Sequence, residues 1–242
     1  MRLAAAGCVA PEEEARELLR GVSDDRTLEG RVRRRERGEP LAWITGLATF
    51  CGVKVRVDPG VYVPRPQSEE LARRAATLLP EGGRAVDLCT GCGAIAAAMG
   101  AARPSATVVA VDLDVGSVAC ARRNGVCALR SDLGEALRAN AFDVVCAVAP
   151  YVPTEELRLL PADVRRYEPP LALDGGRDGL DVVRRVVVSA ARLLRKGGWL
   201  LVEVGGSQDE RLRPTLDDSG FGNVETWADE AGDLRGLAAR LH

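Results

Sequence analysis

The 242-residue chain predicts a doubly wound α/β domain behind a short helical lead-in, and three observations carry that expectation. From Glu69 onward, helix-like segments alternate with short β-branched runs, the rhythm of parallel strands joined by crossover helices. One run empties into a glycine-rich turn that leads straight into an alanine-rich stretch. The next run closes on a carboxylate, Asp112, where doubly wound sheets hold a ribose.

Residues 1–46 read as a short helical N-terminal extension. Pro11 stands where a first turn begins, Glu12, Glu13 and Glu14 complement the helix dipole, and Ala15, Leu18 and Leu19 give an apolar edge. The stretch 31–37 holds five arginines and one glutamate and reads as a solvated helix face rather than a nucleic-acid surface. After the Gly38-Glu39-Pro40 break, the main domain spans 47–242 and opens with a hairpin lead-in at about 47–62. There residues 50–57 alternate as a strand or hairpin arm, and Asp58-Pro59-Gly60 supplies a turn. Core strands are expected at 85–88, 107–112, 142–148 and 199–204, with a short further strand ending at Arg130. A helix at 209–219 precedes a closing strand pair at 223–227 and 234–241.

Composition narrows the function classes. With 33 basic against 35 acidic side chains the net charge is −2, so no global field gathers a polyanion, and nucleic acid is not an expected partner. Apolar stretches stop at charges well short of the roughly 20 residues that span a bilayer, so no membrane partner is expected either. Seven cysteines, an odd number without framework spacing, argue for reduced core residues and a cytoplasmic protein. The oligomeric state stays open.

The turn runs Asp87-Leu88-Cys89-Thr90-Gly91-Cys92-Gly93-Ala94-Ile95-Ala96, and Gly91-x-Gly93-x-x-Ala96 satisfies a dinucleotide fingerprint. Its glycines let backbone approach a nucleoside closely. Asp112, 19 residues after Gly93, suits the two ribose hydroxyls. Asp87 chooses the nucleoside: a carboxylate beside the turn repels a pyrophosphate but attracts the ammonium of S-adenosylmethionine (AdoMet). A helix cap is the alternative role for the same side chain. Asp132 suits the adenine amino group, with an N-cap for a following helix as its alternative. Cys89, Thr90, Leu113 and Leu133 complete the cofactor set. Cys89-x-x-Cys92 raises a redox or metal reading, since helix N-termini lower thiol pKa values, but no second pair at ligand spacing exists and no metal is expected.

Several motifs together make the chain resemble the protein-(glutamine-N5) methyltransferase family, which methylates release factors. They are Gly38-Glu39-Pro40-Leu41-Ala42-Trp43-Ile44-Thr45-Gly46, Val63-Pro64-Arg65-Pro66-Gln67-Ser68-Glu69, the cofactor turn, and Glu168-Pro169-Pro170-Leu171-Ala172-Leu173-Asp174-Gly175-Gly176-Arg177-Asp178-Gly179-Leu180. The resemblance implies a Rossmann-like class I methyltransferase sheet of seven strands, the last antiparallel, with AdoMet across the strand ends. In the family an Asn-Pro-Pro-Tyr element after the fourth strand holds the acceptor amide through the Asn side chain and a backbone carbonyl. This chain reads Val148-Ala149-Pro150-Tyr151 there, so the side-chain contact is missing while the carbonyls and the Tyr151 ring persist. Its lead-in is also shorter than the family's usual helical domain and offers less grip on a protein. In both respects it looks like a divergent branch of unknown substrate.

The acceptor is accordingly expected to be either a protein or peptide glutamine or a small molecule without an amide. Methylation of a flipped nucleic-acid base is a further option, disfavoured by the balanced charge and the missing Asn. No strong general base is needed, because the sulfonium makes the methyl electrophilic and the protein mainly positions a nucleophile. That suits a chain whose one histidine is His242. Arg65, fixed between two prolines, is expected to aim its guanidinium at the pocket or brace a lid. Glu168 and Glu203 are expected to pair with arginines and tie the later loops to the sheet.

Overall fold

The computed structural model describes residues 2–242. Four helices come first: α1 (Arg2–Ala5), α2 (Pro11–Leu19), α3 (Asp25–Glu36) and α4 (Leu41–Thr45). Pro11 does open α2, and Asp24 caps α3 by accepting from the Thr27 N–H at 2.9 Å. The arginine run is more than a solvated face. Arg31 donates to the carbonyls of Leu18 and Arg20, Arg34 pairs with Glu39, and Arg35 pairs with Glu14 at 2.5 Å with side chains only 13% and 12% exposed. These bonds close the helices over a small core of Leu3, Leu18 and Ile44. Guanidiniums serve here because each has several donors in a planar fork and reaches more than one acceptor.

A hairpin of β1 (Leu47–Phe50) and β2 (Val53–Arg56) follows. The expected run 50–57 is cut by Cys51 and Gly52, whose φ angles of 48° and 74° match the right-handed twist of a two-residue hairpin turn. Cysteine is no turn former, so only Gly52 hinted at it.

The rest is an α/β sandwich. In chain order come α5 (Glu69–Leu78), β3 (Arg84–Leu88), α6 (Ala94–Ala102), β4 (Thr107–Asp112), α7 (Val115–Arg123), β5 (Cys127–Arg130), β6 (Phe142–Ala147), α8 (Ala162–Tyr167), α9 (Asp181–Leu193), β7 (Leu194–Glu203), α10 (Gln208–Asp218), β8 (Phe221–Ala228) and β9 (Leu234–Leu241). The sheet order is β5-β4-β3-β6-β7-β9-β8, parallel except for the two pairings made by β9. Its central strands are buried on both faces, as their unbroken apolar runs require.

One face carries α9 and α10. Val183, Val186, Val187, Ala190 and Leu193 recur at helical spacing along α9 and are fully buried, while Arg184, Arg185 and Arg192 point away. Each buried Val or Leu contributes about 1.5–3 kcal/mol of transfer free energy. The other face carries α5 and α6, with Trp43, Phe50 and Val55 of the lead-in closing over them. Residues 131–140 form turns and no helix, so the N-cap alternative for Asp132 falls away. Among the described residues no helix is long and apolar enough to cross a membrane.

Register places the site. Leu88 sits opposite Val111 on one side and Ala147 on the other. The turns leaving β3, β4 and β6 therefore emerge side by side at the carboxyl end of the sheet, the crevice where such folds bind ligands.

Candidate active site

After Leu88 the chain turns through Cys89, Gly91 and Gly93 with φ of 57°, 55° and 82°. Left-handed backbone at Gly93 lets α6 start close against the sheet. Cys89 adopts it with a side chain, at about 1–2 kcal/mol of local strain. Asp112 ties the turn down: one carboxylate oxygen accepts from the Gly91 N–H at 2.8 Å and the other from the Asp114 N–H at 2.9 Å.

A cavity of about 240 Å³ opens above the turn, lined by Cys89, Thr90, Gly91, Asp112, Leu113, Asp132, Leu133, Val148 and Pro150. Two of the expected cofactor residues lie outside its lining. Gly93 acts through backbone conformation. Asp87 is buried beneath the turn, where Oδ2 accepts from the Thr90 hydroxyl at 2.6 Å and from the Ala96 N–H at 3.3 Å. Asp87 thus braces its own turn, and in this structure it stands behind the cavity wall rather than in it.

Electrostatics nevertheless suit a cationic ligand. Burial pushes Asp87 up to about 7, and Asp112 is raised by burial as well. Both carboxylates are short of positive charge. Asp132 has a partner in Arg185, 2.7 Å away, contributed by α9. A sulfonium or ammonium entering this cavity would relieve the deficit, whereas a pyrophosphate would deepen it. The residues present therefore fit AdoMet. The two cysteines of the turn are not activated: burial raises Cys89 and pushes Cys92 up to about 12. Among the described residues no group of three or more His, Cys, Asp or Glu could hold a metal ion.

A second, larger cleft of about 1140 Å³ lies between the lead-in and the 148–173 region. Arg65, Ala149 and Tyr151 line it, so these three expected residues gather here and not around the first cavity. Arg35 and Arg37 of the lead-in, Arg166 of α8 and Arg235 of β9 join them. Tyr62, Val148 and Ala172 line both spaces and form the partition between them.

The walls of the cleft are held by buried polar bonds. Arg65 pairs with Glu168 at 2.5 Å, as expected, and stacks 5.0 Å from the Tyr62 ring centroid. Glu203 takes no arginine. Its two oxygens accept from the Ser68 hydroxyl at 2.5 Å and the Tyr151 hydroxyl at 2.9 Å, while Arg235 and Arg65 act on it only through charge at longer range. Gln208 then donates to the Tyr151 carbonyl at 2.9 Å. Sequence reasoning missed Tyr62 and Arg185. Tyr62 stands beside the noticed Pro64-Arg65-Pro66 turn, but nothing local marks Arg185.

Comparison with known proteins agrees with this geometry. Residues 53–232 match the model of the methyltransferase small domain. A release factor glutamine methyltransferase from Geobacter sulfurreducens is 38% identical over 218 residues, covering 88% of this chain and 77% of that protein. One from Streptomyces coelicolor is 38% identical over 257 residues, covering 95% and 89%. A T. thermophilus 16S rRNA N2 G1207 methyltransferase, solved with AdoMet and guanosine, superposes with a TM-score of 0.57 at 20% identity, over 81% of this chain and 44% of that one. That likeness speaks to the fold alone, the class I methyltransferase sheet. The chain belongs to the release factor glutamine methyltransferase family and is an AdoMet-dependent methyltransferase.

Proposed function

We propose that this enzyme methylates the side-chain nitrogen of a glutamine presented on a protein loop, a release factor being the natural candidate. The observation that carries the reading is the partition: a cavity suited to AdoMet and an open cleft large enough for a loop meet at Tyr62, Val148 and Ala172. The named activity of relatives at 32–40% identity supports it. Bound AdoMet supplies an electrophilic methyl group.

The protein's own work is to bind, orient and exclude water. Asp112 would take the ribose hydroxyls and Asp132 the adenine amino group, with Leu113 and Leu133 against the base and Cys89, Thr90 and Gly91 beneath. Asp87 and Gly93 hold the turn in shape. On the acceptor side, the carbonyls of Val148 and Ala149 would accept the amide protons, Pro150 stiffens the element, and the Tyr151 ring walls the pocket with Arg65 behind it. Residues 1–46 serve as a lead-in, whose residues 6–9 and 35–38 form one lip of the cleft, and 47–242 as the transferase domain. Seven free thiols support action in the cytoplasm.

Val148 carries no polar side-chain atom where the family has Asn. One lost hydrogen bond to an amide lowers transition-state stabilisation by about 1–3 kcal/mol, roughly fivefold to more than a hundredfold in rate. The test is transfer of labelled methyl to purified release factor. Val148→Asn is expected to raise kcat/KM by roughly fivefold or more, and equal rates would remove the argument from Val148. The apolar Val148 of this chain also favours a second reading, a small-molecule acceptor without an amide; label appearing in a metabolite fraction and absent from release factor would establish it.

A further inference from the structure

We infer that the phenolic hydroxyl of Tyr62 orients the acceptor for methyl transfer, taking over the polar contact that Val148 cannot make. The inference rests on the methyl-transfer reading of the two adjoining spaces, and it concerns the three side chains they share. Val148 and Ala172 are apolar. Tyr62 is the one member of the partition whose side chain has an atom that forms hydrogen bonds. A phenol both donates and accepts, so it serves an amide N–H, a carbonyl oxygen or a hydroxyl equally.

Its placement is built rather than incidental. The preceding residue is fixed where the Trp43 indole N–H donates to the Val61 carbonyl at 2.9 Å. Pro64 and Pro66 stiffen the chain that follows. The Arg65 guanidinium lies over the ring face, 5.0 Å from its centroid, and is itself anchored by Glu168 at 2.5 Å. A side chain so confined loses little further freedom when it engages a ligand. Burial, with Glu203 and Glu168 adding to it and Arg65 opposing, pushes the phenol up to about 12. It therefore stays protonated across ordinary pH and works as an orienting group with no net proton exchange. In the transfer itself the acceptor nitrogen forms the new N–C bond, the S–C bond of the donor breaks, and the proton from nitrogen leaves to solvent.

Tyr62→Phe deletes the hydroxyl and keeps the ring. Initial rates of labelled-methyl incorporation would be measured in two arms, purified release factor and a whole bacterial lysate serving as a pool of acceptors, alongside AdoMet affinity by calorimetry. The expected result is a tenfold to hundredfold fall in kcat with AdoMet affinity and melting temperature unchanged. In a Val148→Asn background the same change should lower the rate less than threefold, because the restored amide covers for the phenol. A rate within twofold of wild type overturns the inference. So does a loss matched by an equal loss of AdoMet affinity, since that marks a wall of the cofactor cavity only. Label in the lysate but not in release factor would retire the release-factor reading while leaving the Tyr62 comparison readable in the lysate arm, and no label in either arm retires both.

Discussion

A methyl group added at Gly93 would land 3.0 Å from the Cβ of Ala121 and 3.1 Å from a methyl of Val126, at a φ of 82° that L side chains rarely adopt. Overpacking of that kind costs about 1–3 kcal/mol, and left-handed backbone about 1–2 more. Gly93→Ala is therefore expected to lower the melting temperature by roughly 5 °C or more, read by calorimetry, at about 2–4 °C per kcal/mol for a chain of this size. Asp87 gives the second prediction at this scale. Burial raises its pKa in the folded state to about 7, above the ordinary carboxylate value of 3.8, so ionisation is opposed there and the stability it contributes falls as pH rises from about 4 toward 7. A cation bound nearby favours the ionised form. AdoMet affinity should accordingly tighten as pH rises through 7, and in Asp87→Asn the pH curve, followed by titration calorimetry, should be flat between pH 6 and 8; an unchanged slope would detach Asp87 from the ligand. The sequence made Asp87 legible but not its direction, because a motif fixes spacing along the chain and leaves open whether a short side chain turns out to the ligand or in to its own loop.

Among the elements, the lead-in helices depend on polar ties more than on core. Their shared apolar cluster is small, and the Arg35–Glu14 pair joining α3 to α2 is largely excluded from water. Replacing one partner of such a pair leaves a poorly solvated charge behind. Glu14→Gln should speed hydrogen exchange and proteolysis within residues 2–45 while leaving the exchange of β3 and β6 amides unchanged; equal protection in both regions would mean the pair is dispensable. The parallel strands were legible because short β-branched runs between helical patterns leave few other readings; β4 matches its expected limits, as does β9, an eight-residue strand without that composition. The hairpin turn was not, since Cys51 adopts a left-handed conformation that nothing in its side chain advertises. Nor was the lack of a helix between β5 and β6, where Asp132 had the composition of a cap but the following residues pack as turns.

Over the whole molecule, a net charge of −2 conceals two opposite environments. The smaller cavity is lined by Asp112, Asp114, Asp132 and Asp174 against Arg185, and the larger cleft by five arginines against Glu36 and Asp163. Totals cannot reveal such sorting, because it arises from folding residues that lie far apart in sequence onto two sides of one partition. Tyr62, Val148 and Ala172 meet for the same reason, and no spacing rule would have grouped them. The pairing of Leu88 with Ala147 has a longer reach. It sets the separation of the donor turn from the acceptor wall by main-chain bonding between neighbouring strands, about 4.8 Å apart, which exchange of side chains leaves alone. A lineage built on this frame is free to change its clientele by rewriting one rim of an opening, while the distance over which the carbon must travel is inherited intact.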